Sequence, residues 1–323
     1  MTVPPLGATT VQSVSRTRGD PMNETKRTEG AVMAEGQKER PSLAVSLRAE
    51  MSGLTPAEKK IARAILASYP FSGLESISSL AEVAGVSAPS VVRFARTLGF
   101  AGFREFQEAL KDEIREREES NLSQAEGRQP GQEPVFDAAR RAYHAGIEST
   151  FDAVIGDDLD HAVHLLSQTK KSVVLVGATY SGYIADIFQA QLTPARPGVS
   201  RLAANPLVAA GQLNDCRRGD LLIAFDVRRY DPATAGIVRV GKDLGLTTIV
   251  FTDPWMSPAA ALADHVLTAD VRAAGPSDTM VPMLALVEAV SELVVAELGD
   301  AAINRLGKLD PLRLRISGSA DSI

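Results

Sequence analysis

The sequence predicts an all-α helix-turn-helix N-terminal domain followed by an α/β three-layer domain built on a parallel sheet. Three observations carry this expectation. Between residues 54 and 110, apolar side chains recur at three- and four-residue spacing, interrupted by capping residues, as in helices that each bury one stripe. From residue 135 onward, helical patterns alternate with short β-branched runs, the signature of βαβ units whose parallel strands carry helices on both faces. Between them lies a composition shift, a dense charge run at 111–119 and then a Gln-, Gly- and Pro-rich stretch to residue 134, which marks a linker.

At about 150 residues per domain, 323 residues accommodate about two domains and some tail. With 45% hydrophobic and 23% charged residues, the chain can bury a sizeable core. Cys216 stands alone, which excludes an internal disulfide or a thiolate metal cluster. No apolar run approaches the roughly 20 residues that cross a bilayer. The polar N-terminus lacks the apolar core of a secretory signal, so the expected compartment is the cytoplasm, without a membrane partner. A formal net charge of -6 argues against a surface that wraps nucleic acid all round and confines any DNA contact to a small basic face.

Residues 1–42 lack apolar periodicity and read as a disordered tail, ahead of a helical domain over 43–118. Thr55-Pro56-Ala57-Glu58 starts a helix with a hydroxyl cap, a proline whose missing N–H costs nothing there, and a glutamate that bonds back. Leu54, Ala57, Ile61 and Ile65 form its buried stripe, and Pro70 stops it. Ser76 or Ser79 caps a short second helix that turns Ile77, Leu80, Ala81 and Ala84 inward. Gly85 then supplies the positive φ of a tight turn, Val86 plugs the angle between helices, and Ser87 caps a third helix with Pro89 in its first turn.

That third helix turns Val91, Phe94, Ala95 and Leu98 inward and leaves Pro89, Arg93, Arg96 and Thr97 outside. Reading a major groove needs arginines that fork to guanine or phosphate, and small residues such as Ala88 and Ser90 where the helix enters. Ser87, Ala88, Pro89, Ser90, Arg93, Arg96 and Thr97 are therefore the candidate contacts to double-stranded DNA. A solvated face carrying an ordinary i,i+3 arginine pair is the competing reading.

Leu54-Thr55-Pro56-Ala57-Glu58, Leu80-Ala81, Gly85-Val86-Ser87, Val92-Arg93-Phe94 and Leu98-Gly99-Phe100-Ala101-Gly102-Phe103-Arg104-Glu105-Phe106 together resemble the N-terminal domain of RpiR-type transcriptional regulators. The resemblance spans residues 43–116 without a gap. Within it, Phe100, Phe103, Phe106 and Leu110 form a stripe that closes the small core, and Gly99 and Gly102 are turn glycines.

In the second half, β-branched runs place strands at 172–176, 221–225, 247–251 and 265–268, with a weaker one at 199–202. RpiR-type regulators pair their helical domain with a SIS (sugar isomerase) domain, and residues 135–300 are similar to one. The resemblance implies a SIS-like, flavodoxin-like topology and binding of a carbohydrate derivative. The run from Val173 through Gly177 to Gly182 reads as strand, tight turn and helix, at the strand end where open sheets receive phosphate. The family pattern there is Gly-x-Gly-x-Ser-Gly; Gly177, Ser181 and Gly182 match, and Thr179 replaces the second glycine.

The next strand end departs further from the family. SIS domains that hold phosphosugars carry Ser-x-Ser-Gly-x-Thr, whereas this chain has Asp226-Val227-Arg228-Arg229-Tyr230-Asp231-Pro232, with a carboxylate where a serine would donate. Two readings stand: Arg228 or Arg229 grips an anion while Asp226 orients a guanidinium, or these charges form an internal ion-pair network or an interface. Ser277 borders the ligand pocket by the same resemblance, or caps the helix that follows. The candidate ligand set is Gly177, Thr179, Ser181, Asp226, Arg228, Arg229 and Ser277, for a small anionic metabolite or phosphosugar.

A helix over 280–298 carries Met283, Leu286, Val287, Val290 and Val294 among apolar residues on more than one side, as expected beneath a sheet and at the interface of a homodimer or homotetramer. Thr252-Asp253-Pro254 and Ala263-Asp264 read as caps and turns. Glu288 is the one acid suspected of isomerase chemistry, although a mid-helix glutamate ordinarily faces solvent. His161 and His164 beside Asp157, Asp158 and Asp160 could form a metal site, but acids at a helix start serve the dipole unaided. His144 and His265 stand isolated. No catalytic residue, metal or cofactor is expected, and residues 301–323 read as a C-terminal tail. The expected function is sequence-specific DNA-binding transcriptional regulation; the alternative is a sugar-phosphate isomerase with a vestigial helical domain.

Overall fold

The structure is a computed structural model, described over residues 42–118 and 134–318. The expected tail up to residue 41 and almost all of the expected linker lie outside the described residues. The helical domain comprises α1 (Leu43–Glu50), α2 (Pro56–Ala67), the single turn α3 (Phe71–Leu74), α4 (Ile77–Ala84), α5 (Ala88–Thr97) and α6 (Phe103–Glu118). Thr55 and Glu58 form the full capping box of α2, and Ser76, not Ser79, caps α4 by accepting from the Ser79 amide at 3.1 Å. Leu47, Ile61, Ile65, Leu80, Phe94, Phe106 and Leu110 are completely buried together, and Phe100 meets Phe106 edge-on at 5.5 Å.

The charge run at 111–119 contains a surprise. Helix α6 continues to Glu118, and Glu113 turns inward, where it accepts from the Leu43 amide at 2.7 Å and from the Tyr69 hydroxyl. Burial pushes its carboxyl up to about 7 despite those donors.

The α/β domain follows as α7 (Val135–Ala153), α8 (Gly156–Ser167), β1 (Val173–Gly177), α9 (Thr179–Ala195), β2 (Val199–Arg201), α10 (Pro206–Asn214), β3 (Leu221–Asp226), α11 (Pro232–Asp243), β4 (Thr247–Thr252), β5 (His265–Thr268), α12 (Val281–Leu298) and α13 (Asp300–Ile316). Its five strands run parallel in the order β2-β1-β3-β4-β5. This is the flavodoxin-like order, and the weak run at 199–202 holds β2, one of the two edge strands. All six residues of β3 are buried, because helices cover both faces of the sheet. On one face, residues of α8, α9 and α12 pack over Leu175, Ile223, Phe225 and Phe251; on the other, residues of α10 and α11 pack over Val174, Leu222 and Val250.

The tail expected at 301–323 is corrected over its first part. Residues 300–316 form α13, whose Arg305 donates to the Thr193 carbonyl at 3.0 Å. Gly307 and Pro311 weaken its helical signal, and Ala302 is its one buried residue, so sequence periodicity does not reveal it. Residues 319–323 lie outside the described residues.

The two domains touch through α1. Ala44 joins the apolar cluster beneath the sheet, Ser42 donates to the Pro254 carbonyl, and Arg48 pairs with Asp158 at 3.0 Å.

Candidate nucleic-acid interface and anion site

The turn between α4 and α5 follows from two residues. Gly85 adopts φ 62, a region that only glycine occupies cheaply, and the Val86 amide returns to the Ala81 carbonyl at 2.9 Å. That turn directs α5 so that Val91, Phe94 and Ala95 are buried, while Ser87, Pro89, Arg93, Arg96 and Thr97 are exposed and Ala88 and Ser90 half-exposed. Of the seven candidate DNA contacts, all but Ala88, which packs against the helical core, are therefore turned outward. Ser87 stands at the N-cap, but its hydroxyl meets the Ser90 hydroxyl at 2.9 Å instead of bonding an amide. Arg93 donates to Ser90 Oγ at 3.1 Å, and Arg96 reaches the Ala101 carbonyl at 3.4 Å.

Thr97 has a second task. Its hydroxyl donates to Glu58 Oε1 at 2.8 Å, joining the end of α5 to the capping box of α2. Hydrogen bonds from Thr55 and then from Thr97, with Arg93 nearby, hold the Glu58 carboxyl below its ordinary range.

At the C-terminal ends of the strands, register brings the second group together. Gly177 of β1 pairs with Phe225 of β3, and Asp226 pairs with Thr252 of β4. A Cβ on Gly177 would lie 2.8 Å from the Ser181 carbonyl group, so glycine is required where the first turn of α9 closes on the strand. Ser181 is buried behind that turn, whereas Thr179 is exposed at the start of α9, which has no side-chain cap. Its first amides are oriented as in helix termini that bind anions.

The Asp226–Pro232 loop is mostly engaged with the protein itself. Arg228 is buried, and its Nε and Nη2 form a fork on Asp278, with Nε–Oδ2 at 3.2 Å. Its Nη1 donates to the Glu116 carbonyl of α6 at 2.8 Å, and its guanidinium lies 5.3 Å over the Trp255 ring. Arg229 has φ 69, outside the regions that non-glycine residues prefer, and reaches Asp278 Oδ2 at 2.7 Å while its side chain stays 46% exposed. The expectation that Asp226 orients a guanidinium is corrected: Asp278 does so, and Asp226 Oδ1 accepts from the Asp231 amide at 3.2 Å. No sequence signal marked Asp278, which lies 50 residues from its partner.

Beneath the loop sit two buried carboxyls. Tyr230 donates to Asp253 Oδ1 at 2.8 Å, and Arg117 of α6 covers the Tyr230 ring at 4.6 Å. Burial pushes Asp226 up to about 6 and Asp253 up to about 7, and raises the Tyr230 hydroxyl, which Asp253 raises further. One oxygen of each aspartate is buried without a hydrogen bond, which adds to the cost of ionising it.

Ser277 is exposed at the rim and does not cap the following helix; Thr279 accepts from the Val281 amide there at 3.2 Å. Glu288 is exposed, near Gln191 Nε2 at 3.5 Å. The histidine cluster resolves into packing: His161 stacks on His265 at 5.2 Å, and His265 meets Asp158 at 3.2 Å. Among the described residues, no group of three or more His, Cys, Asp or Glu side chains is placed to hold a metal ion, and no helix is long and apolar enough to cross a membrane.

Comparison with known proteins agrees with this geometry. Residues 42–117 match the model of the helix-turn-helix domain of the rpiR family, and residues 165–293 match that of the SIS domain. The chain is 28% identical over 217 residues to an uncharacterized HTH-type transcriptional regulator of Haemophilus influenzae, covering 66% of this chain and 75% of that protein. It is 27% identical over 233 residues to the HTH-type transcriptional regulator RpiR of Escherichia coli K12, covering 70% of this chain and 75% of that one. Among solved structures, the sugar isomerase domain of an RpiR transcription factor from Sphaerobacter thermophilus superposes with a TM-score of 0.50 at 23% identity, over 55% of this chain and 99% of that one. That last likeness is one of fold.

Proposed function

Because the chain belongs to the RpiR-type family, with an rpiR-family helix-turn-helix domain ahead of a SIS domain, we propose that it is a cytoplasmic, sequence-specific DNA-binding transcriptional regulator and not an enzyme. The observation that carries the reading is the exposed face of α5, where Arg93 and Arg96 follow the small residues Ala88 and Ser90 of the helix start. The test is selection of bound fragments from a random DNA pool by the full chain at near-physiological salt, with an Arg93→Ala/Arg96→Ala control, because nonspecific binding depends steeply on salt. An enriched inverted repeat that the control loses supports the reading. A pool that never enriches overturns it.

The SIS domain, in this proposal, joins copies of the chain into a dimer or tetramer and senses a small anionic metabolite at the ends of β1, β3 and β4. Support for the anion comes from the two arginines that follow β3, the strand paired with β1, whose C-terminal end leads into α9. Support for assembly comes from Tyr180, Tyr183 and Ile187, which are exposed at three- and four-residue spacing along one face of α9. A ligand that prefers one subunit arrangement would then change operator affinity by its differential binding to the two states. A second reading has its own observation: the engagement of Arg228 with Asp278 and Glu116 favours an internal brace without an effector.

A further inference from the structure

The contact between Glu58 and Thr97 decides what one hydroxyl on the DNA-reading face can offer. Glu58 Oε2 accepts from the Thr55 amide at 2.9 Å and from the Thr55 hydroxyl at 2.7 Å, and its Oε1 accepts from Thr97 Oγ1 at 2.8 Å. Those donors, with Arg93 nearby, hold the carboxyl below its ordinary range, so at neutral pH it is ionised and has no proton to give. Thr97 is therefore the donor. Its single proton could go instead to the Arg93 carbonyl at 3.3 Å, but the shorter bond to a charged acceptor is the stronger one. What remains on this exposed residue is an oxygen with lone pairs alone, and among the described residues nothing donates to it.

Arg93 lies four residues earlier on the same outward face, one turn away, and offers donors only. The face thus carries two polarities. In the major groove, guanine N7 and O6 and thymine O4 accept, whereas the exocyclic amino groups of adenine and cytosine donate. A phosphate offers acceptors alone, and the Glu58 charge behind Thr97 repels it. An acceptor-only hydroxyl suits an amino group, and neither a keto group nor a phosphate. We propose that the Glu58–Thr97 pair is a specificity element that accepts a hydrogen bond from the exocyclic amino group of adenine or cytosine, with Glu58 as the positioning residue that fixes the direction of the Thr97 proton. The inference rests on the DNA-binding reading above and adds the polarity of one base contact.

The test measures binding of the full chain to every single-base variant of its selected DNA site, for the wild type, Thr97→Val and Glu58→Gln. The quantity read at each position is the ratio of affinities for amino bases (adenine, cytosine) to keto bases (guanine, thymine) on one strand, which a uniform change in affinity leaves untouched. The wild type should favour amino bases at one position by roughly two- to tenfold, the size of one hydrogen bond, and Thr97→Val should level that position alone. Thr97→Ser, which keeps the hydroxyl, should retain the preference. Glu58→Gln tests the polarity itself. The substitution keeps a capping box, which takes Gln as well as Glu. With the amide oxygen held by the Thr55 N–H, the NH2 faces Thr97 and donates to it, which frees the hydroxyl proton to point outward. The preference at that position should then reverse toward guanine or thymine, an outcome that lost packing would not produce. Thermal melting confirms that each variant folds. If Thr97→Val leaves every ratio unchanged, or Glu58→Gln fails to reverse the preference, the assignment is overturned while DNA binding stands. If the wild type selects no site, the DNA-binding reading falls and takes the assignment with it.

Discussion

Arg93 and Arg96 separate once their contacts are known. Arg93 leans on Ser90, one turn nearer the helix start that would enter a groove, whereas Arg96 turns toward the Ala101 carbonyl. Arg93→Ala should therefore weaken binding to a selected site by about 1–3 kcal/mol and relax preference at one base position. Titrations against single-base variants of that site measure this, and uniform weakening with a smaller salt slope would mark a phosphate contact instead. The buried carboxyls make a prediction of opposite sign to ordinary acid denaturation. Asp226, Asp253 and Glu113 hold their protons to about 6, about 7 and about 7 in the folded chain. Unfolded, they release them near 4. The folded state binds more protons between those limits, so their contribution to stability is full below pH 4 and declines as pH rises toward 7. In urea denaturation at several pH values, Asp253→Asn should make the stability profile over that window less downward by about one proton. The burial of these three was not legible from the sequence, which placed Glu113 in a charge run, Asp253 in a turn and Asp226 in a candidate anion site, because burial is set by what packs above them.

Two glycines show how differently one residue type acts within elements. Gly85 has open space around its absent Cβ and needs only its φ of 62, so Gly85→Ala should cost about 1 kcal/mol. Gly177 has ordinary backbone but faces the Ser181 backbone at 2.8 Å, so Gly177→Ala must move α9 or β1 and should cost more, about 1–3 kcal/mol. Chemical denaturation of the two variants side by side checks the ranking. Capping signals were the most readable feature of the chain: the boxes and turns around Thr55, Ser76 and Gly85 are local, and each bond closes within three to five residues. Helix α13 was unreadable because its stability comes from contact with α9 and α12, against a glycine and a proline in its own sequence.

For the whole molecule, the decisive link is the contact of Glu116 and Arg117 of α6 with Arg228 and Tyr230 of the loop after β3. Asp278→Ala would leave the buried Arg228 guanidinium without its carboxylate, and breaking a buried pair on one side costs about 3–5 kcal/mol. A loss of that order in global stability, with reduced protection of the α6 amides, is the expected outcome. A surface-sized effect below about 1 kcal/mol would show the pair to be dispensable. Assembly is tested by sedimentation: the wild-type chain should run as a dimer or tetramer, and Tyr183→Asp with Ile187→Asp should shift it toward the monomer.

The residues in order were enough to place the caps, the Gly85 turn, the basic face of α5 and the parallel βαβ pattern. These follow from interactions within a turn or two of helix, or from a period of two or 3.6 residues. Which reading of Asp226-Val227-Arg228-Arg229 the chain adopts was left open, because charge and spacing alone do not name a partner. Folding supplied the partners by bringing Asp278 and the Glu116 carbonyl, 50 and 112 residues away, onto one guanidinium. A buried cation must find its acceptors wherever the fold delivers them, and sequence distance carries no trace of that choice.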